Sequence, residues 1–466
     1  MTKMTTDPQL SASAPHAGND AAPNSTGIKV VIVGIGLAGI TAAIECHRKA
    51  HSVIVLEKVS ELKHDAGDGI MIAPNASRVI RQWGDELFAE IVLNRCDSTQ
   101  VDMMDHNDNL IARQELPGKG EGIVTNRGKL VCLLYAHAKN RLGIDIRLGS
   151  RVTDYWEENG QAGVTLDDGE RISGDCVVCA DGVHGMSRKF VTKEEVAPQE
   201  TGWATFRAHI ETDAFANDED AKWVLAGTES KDRTYAWFGD GLNVAMMTLK
   251  RGKEVVWMTT HKDCYGARET WNGGGQAKME DALATISHWP GRHRIEAVIR
   301  HTKPSKLVNH ALIYRPPLRT WISDGGRTML IGDSAHPYYP VVAQGGSQGI
   351  EDGAVLAIAL SLAGKERVPL ALQVVEKIRY PRASVIQLGS QTFQATVLRS
   401  DWGKEESKRD EFRFPNPDWI FSHDCQSYAY QEFESVVEAI RDGKEYVPTN
   451  IPIDGVYRVE NTYKRG

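Results

Sequence analysis

Val33-Gly34-Ile35-Gly36-Leu37-Ala38-Gly39 is the stretch that decides the fold of this chain. It follows an apolar run, Ile28 to Val33, and opens a helical pattern reaching about Ala50. A strand that turns on glycines into a helix leaves backbone N–H groups at the helix N-terminus, where a pyrophosphate can sit. Gly34, Gly36 and Gly39 allow the tight turn and the close approach, with Leu37 and Ala38 at the same contact. A second strand, Ser52 to Leu56, delivers Glu57 23 residues after Gly34, and Lys58 follows it. A carboxylate there accepts from both ribose hydroxyls and repels a 2′-phosphate, which leaves FAD or NAD as the dinucleotide.

Two further segments can hold parts of the same long anion. Cys176-Val-Val-Cys179-Ala180 reads as a short apolar strand ending in Asp181-Gly182, with Ser187 and Arg188 beyond. A hairpin signal, Val164 to Leu166 and then Asp167-Asp168-Gly169, precedes it. Arg327 to Gly332 reads as another strand, running into Asp333, His336, Pro337, Pro340, Gln344, Gly345 and Gly346, with a helix from about Ser347.

With these three segments in order, the sequence resembles the single-component FAD-dependent aromatic hydroxylases typified by para-hydroxybenzoate and salicylate hydroxylases. The resemblance runs from about Ile28 to Leu388. Pro340-Val-Val-Ala343-Gln344-Gly345 looks most like the salicylate-hydroxylase-like fungal branch; other branches carry Gly and Asn where this chain has Ala343 and Ser347. The resemblance implies that the first glycines hold the ADP half of FAD. It implies that Asp181 and Gly182 contact FAD and serve the nicotinamide donor, and that Asp333 holds the ribityl-pyrophosphate region. Gly69, Ile70 and Met71, in Gly67-Asp-Gly69-Ile70-Met71, match the loop beneath the flavin. Arg127 matches an Arg-x-x-Leu contact to FAD, and Val152 a position whose backbone meets adenine. Pro340 should approach the oxygen-reactive side of the flavin, and Gly345 and Gly346 its pyrimidine edge, with Ser347 also a cofactor-binding position.

The activity so implied is that of a monooxygenase. NADH or NADPH reduces FAD transiently, O2 is the co-substrate, and one oxygen atom enters an aromatic or heteroaromatic small molecule. Arg207, in Thr201-Gly202-Trp203-Ala-Thr-Phe206-Arg207, matches an arginine that is catalytic in dearomatising fungal relatives, and Tyr235 falls near their partner tyrosine. His336 suits proton transfer or a structural hydrogen bond. An epoxidase or dearomatase of the same family, or an FAD oxidoreductase without oxygen transfer, stays open. A flavin halogenase would need Trp-x-Trp-x-Ile-Pro, and Trp237 and Trp257 lack that setting.

The expected architecture is α/β: a Rossmann-like, three-layer FAD-binding domain of the glutathione-reductase type, with an inserted antiparallel β substrate domain and a helical C-terminal cap. The expected boundaries are a disordered arm over 1–27, FAD-binding segments over 28–200 and 311–390, the β domain over 201–310 and the cap over 391–466. Within the β domain, Thr201–Ile210, Tyr235–Phe238, Leu242–Leu249 and Val255–Thr260 read as strands; Tyr428–Arg441 reads as a helix in the cap. Trp402, Trp419 and Tyr430 could line a pocket there, although single aromatics more often pack.

Composition fits a large core: 466 residues, 41% hydrophobic. A net charge of −8 gives no footprint for nucleic acid, and no run approaches the roughly 20 apolar residues of a membrane span. The polar end, Thr462 to Gly466, predicts no C-terminal anchor; the expectation is a soluble cytoplasmic monomer or homodimer. Seven cysteines suit a reducing compartment. Cys176 and Cys179 form a lone C-x-x-C inside a strand, where residues three apart face opposite ways, so no metal site is expected.

Overall fold

The computed structural model describes residues 25–64, 69–116, 121–194, 197–215, 217–239, 241–267, 277–399 and 417–458. Gly67, Trp402, residues 1–24 of the expected arm and the 462–466 end lie outside them.

The strand leading into the first glycines, β1 (Lys29–Val33), is the middle of a five-stranded parallel sheet. Its companions are β2 (Ser52–Glu57), β7 (Asp145–Leu148), β11 (Cys176–Cys179) and β17 (Thr328–Leu330), in the order β17-β11-β1-β2-β7. These strands read as nearly continuous apolar runs because the sheet is covered on both faces. One face carries the helices Leu37–Arg48 and Gly345–Ala363, which pack on each other. The other meets an antiparallel sheet of β8 (Val152–Glu158), β9 (Gln161–Leu166) and β10 (Arg171–Gly174). The three expected layers are present. Cys176 and Cys179 are buried in β11, and burial pushes both thiols up, Cys176 to about 12.

A seven-stranded sheet forms the second body. Its strands are β4 (Gln100–Asp105), β5 (Leu110–Glu115), β12 (Gln199–Glu211), β13 (Thr234–Gly239), β14 (Leu242–Leu249), β15 (Glu254–Lys262) and β16 (Val308–Tyr314). They lie in the order β16-β12-β15-β14-β13-β4-β5. This departs from the expected boundaries. β4 and β5 come from the stretch counted with the first FAD-binding segment, and β16 crosses residue 310. β13 pairs with β4 in parallel, Tyr235 opposite Asp102. Parallel pairing needs no tight turn, so no local signal joined two segments so far apart. The expected boundary at 390 also falls inside one helix, Val368–Arg399. The helix expected over Tyr428–Arg441 spans Cys425–Arg441, because Asp424 caps it by accepting from Gln426 and Ser427 N–H. A small pair, β3 (Gly69–Ile72) with β6 (Ile123–Asn126), lies between the two bodies.

The large sheet has two different faces. Phe206, Ala208, Ile210, Trp237, Val244, Met246, Val255 and Trp257 pack beneath the helices Met279–Ile286 and His293–Ile299. Alternation puts the intervening residues on the opposite, inner face. There Val101, Met103, Ala236 and Phe238 cluster with Val342, Phe393 and Val397, which belong to the motif after Asp333 and to the Val368–Arg399 helix. The inner face thus looks onto the dinucleotide-binding body.

Candidate active site

Gly34 has φ +98°, and a Cβ there would lie 2.3 Å from Ala180 O, so the first glycine loop and the Asp181 strand end approach as only glycine allows. Beside it Gly36, N-cap of the Leu37–Arg48 helix, faces open space: no atom lies within 4 Å of where its Cβ would stand. That is room for a pyrophosphate on free helix N–H groups. Glu57 is anchored at the neighbouring strand end: its carboxylate accepts Ile35 N–H and Val59 N–H, each at 3.0 Å. Lys58 is exposed at the same turn. Ser150 N–H donates to Glu57 O and Gly149 N–H to Val59 O, which brings Val152 at the start of β8 to this end of the groove.

The motifs at the other end converge as well. A Cβ on Gly346 would touch Leu37, Ile70 and Ile72 side chains at 3.0–3.3 Å, so the fingerprint, β3 and the Gly345–Ala363 helix meet at one point. Ser347 Oγ accepts Ala73 N–H at 2.9 Å; its side chain fastens the turn after Met71. Asp333 has accessible surface in the groove yet is crowded by protein, and that burial raises its carboxyl above the usual range against the pull of His336 and Arg127. Arg127 is therefore close enough to Asp333 to act on its charge. It opens a helix, Arg127–Ala136, capped by Asn126, whose side chain accepts Lys129 N–H. Lys129 then pairs with Glu254 of β15 at 2.5 Å. Glu254 also takes His209 and Lys250, and these partners outweigh burial and hold it well below the usual carboxylate range.

Asp181 and His336 have roles that the sequence alone does not assign. Asp181 accepts from Ser187 N–H, Ser187 Oγ and Tyr155 Oη at 3.1, 2.6 and 3.0 Å, so its carboxylate staples its own loop and leaves Gly182, at φ +82°, beside open space. Arg188 donates to Ser334 O and Ala335 O and joins that loop to the Asp333 turn. His336 is 1% exposed, and its Nε2 bonds Asp352 at 2.6 Å. Asp352 also accepts Gly332 N–H and is paired with Arg379. Burial confines His336 to this network beneath the Asp333 turn, which favours the structural alternative over proton transfer to substrate.

The large sheet is the expected substrate side, and its inner face is the one that looks onto the dinucleotide-binding body. One row crosses it from β16 to β5: Val308, Arg207, Met258, Ala245, Ala236, Met103 and Ala112. Arg207 is the charged member of that row and is 8% exposed. Although most of the sheet is covered, Asn243, Ala245, Met247, Met258 and Thr260 remain partly open. A Cβ on Gly69 would touch Val256 and Met247. Pro340 is exposed at the start of a short turn whose Val341 and Val342 pack on Ala236 and Phe238. The open patch is thus framed by Gly69, Pro340 and Arg207.

Tyr235 is not in this frame. It pairs with Met246 on the outer face and packs against Trp223 and Trp237, with ring centroids 5.1 and 5.7 Å away. Strand alternation, invisible without the register, separates it from Arg207. Asn243 and Thr260 went unnoticed in the sequence because a single polar residue in a strand carries no signal of its own. No helix among the described residues is long and apolar enough to cross a membrane.

The comparisons agree with this geometry. Residues 27–387 match the family model described as FAD binding domain. FAD-dependent monooxygenase fmqB of Aspergillus fumigatus is 56% identical over 411 residues, covering 85% of this chain and 98% of that protein. The crystal structure of native FqzB is 57% identical with TM-score 0.85, covering 93% of this chain and 98% of that one. A crystal structure of CtdE in complex with FAD and substrate 4 is 38% identical with TM-score 0.83, covering 89% of this chain and 100% of that one. With a groove whose open glycines and anchored acid fit FAD, this chain belongs to the FAD binding domain family, as an FAD-dependent monooxygenase.

Proposed function

We propose that the enzyme spends NADH or NADPH to insert one oxygen atom from O2 into a flat aromatic or heteroaromatic small molecule lying against the inner face of the large sheet. Gly34 to Gly39, Glu57, Val152, Arg127, Asp333 and Gly345 to Ser347 would hold FAD; Gly182 would add backbone contact. Bound FAD supplies the two-electron activation of O2. The chain's own residues do the rest. Met258, Ala245 and Met247 offer an apolar bed for a flat ring, and the sheet and the Pro340 turn exclude water, which matters because water diverts activated oxygen. Arg207 orients the acceptor and stabilises negative charge that develops on its oxygen or nitrogen substituent. The backbone N–H groups at the Gly345–Ala363 helix start favour negative charge on the reduced cofactor.

The observation that carries this reading is the row with one guanidinium beside a largely apolar open patch, facing the loops expected to flank the flavin. CtdE, crystallised with FAD and a substrate, supports a small-molecule acceptor here too. The test is stimulated NAD(P)H oxidation across phenols, salicylates and indole-type heteroaromatics under ¹⁸O2. Product carrying one ¹⁸O supports the reading. Oxygen arriving from H2¹⁸O, or anaerobic turnover, overturns it.

A further inference from the structure

We infer that Asn243 reads a carbonyl oxygen of the substrate, so that the preferred acceptor is a flat heteroaromatic bearing an amide or lactam carbonyl. This rests on the proposed oxygenation at the inner face and names the substrate class for it.

The row next to Arg207 is polar: His310, Thr205, Thr260, Asn243, Phe238 and Asp105 lie opposite one another across β16, β12, β15, β14, β13 and β4. Asn243 and Thr260 are its partly open members. Asn243 Oδ1 accepts Thr260 N–H at 3.2 Å, which fixes the direction of the amide. The Nδ2 group has two N–H donors, takes no hydrogen-bond partner among the described residues, and belongs to a side chain that is partly open. Thr260 Oγ1 and Thr205 Oγ1 are 3.5 Å apart beside it and extend the polar edge toward Arg207.

The charge of this edge is one-sided. Asp105 is committed to Asn107 and Asn109, whose N–H groups it accepts at 2.9 Å. Glu254, farther along the same face, is paired with Lys129 and Lys250 and hydrogen-bonded to His209. The Asn243 amide therefore brings N–H donors to the patch, and the Thr260 and Thr205 hydroxyls beside it can donate as well as accept. A ligand that brings a carbonyl to Asn243 while its ring lies on Met258, Ala245 and Met247 satisfies those donors; a plain hydrocarbon ring leaves them desolvated and unmade.

The test uses FAD-loaded enzyme and two flat probes, quinolin-2-one and naphthalene, of which only the first carries a carbonyl acceptor. Binding is read from the visible spectrum of the bound flavin, without turnover. Wild type should bind quinolin-2-one about ten-fold or more tighter than naphthalene, the size of one good hydrogen bond. Asn243→Asp keeps the oxygen that accepts Thr260 N–H but removes the donor, so it should abolish the preference with FAD content unchanged. Asn243→Ala should do the same, and Thr260→Ser should keep the preference. Equal binding of the two probes, failure of wild type to bind quinolin-2-one, or a preference that survives Asn243→Asp overturns the inference. Because the probes report binding alone, the preference can hold while ¹⁸O transfer fails, or the reverse, and the two readings fall separately.

Discussion

Arg207 and Tyr235 belong to the same sheet and project from opposite faces of it: Arg207 pairs with Met258 on the inner face, Tyr235 with Met246 on the outer. A substrate on the inner face would meet Arg207 and not Tyr235. Arg207→Ala should keep FAD and fold but lose about 2–4 kcal/mol of transition-state stabilisation, with NAD(P)H oxidation diverted to hydrogen peroxide. Tyr235→Phe should retain wild-type coupling. Product and peroxide yields per NAD(P)H measure both; wild-type product from Arg207→Ala, or loss of its flavin, would make Arg207 structural.

Glu57 anchors the first glycine loop through Ile35 and is the acid proposed to meet the ribose of FAD. Its loss removes hydrogen bonds to a charged acceptor, each worth about 1.5–3 kcal/mol. Glu57→Ala should weaken FAD binding about ten- to a hundred-fold. Fluorescence of FAD released on dialysis gives the affinity directly, and Glu57→Gln should lie between the two.

Asp352 is fully buried between His336, Gly332 N–H and Arg379, and Glu351 beside it is paired with Arg379 and Arg382. Arg382 also donates to Trp419 O, Ile420 O and Asn450 O, which ties the C-terminal segment to the cofactor loops. Replacing one partner strands the others. Asp352→Ala should cost about 3–5 kcal/mol in urea unfolding, with FAD affinity falling alongside. A cost below about 1 kcal/mol would show that the network contributes little.

The same network sets the response to acid. Burial and the nearby Arg382 push His423 down to about 3. Arg382 and then Arg379 on Glu351, and His336 and then Arg379 on Asp352, outweigh burial and hold both carboxylates below their usual range. All three bind protons more readily in the unfolded chain, so their contribution is present at neutral pH and lost on acidification. The loss should begin as pH falls below about 6.5, the unfolded value for histidine, and deepen below about 4.3 as the carboxylates join. Each group adds a slope of up to about 1.4 kcal/mol per pH unit. Urea midpoints between pH 7 and 4 should fall, and His423→Gln should flatten the upper part of that curve.

Much of the cofactor-binding body is legible in the chain itself. Glycines before a helix, an acid closing the next strand and two further strand-end motifs have local causes: left-handed or crowded backbone, helix N-termini and apolar runs. The large sheet is only partly legible. Its antiparallel strands announce themselves by turns, but β4 and β5 join through a parallel pairing with β13 that no local pattern encodes. The resemblance set Tyr235 near the partner tyrosine of Arg207 and left His336 open between proton transfer and a structural bond; the register puts Tyr235 on the other face, and Asp352 holds His336.

By itself the sequence determined the dinucleotide-binding strand, turn and helix with the acid that closes the next strand, because backbone conformation and apolar periodicity act within a few residues of their cause. The three layers came with the resemblance to the aromatic hydroxylases. The tertiary structure alone decided which side chains share a face. That depends on strand register and on burial between distant segments, and a shift of one residue reverses every side chain of a strand. For this reason Arg207, Asn243 and Thr260 come together only in the folded sheet, and Tyr235 does not join them.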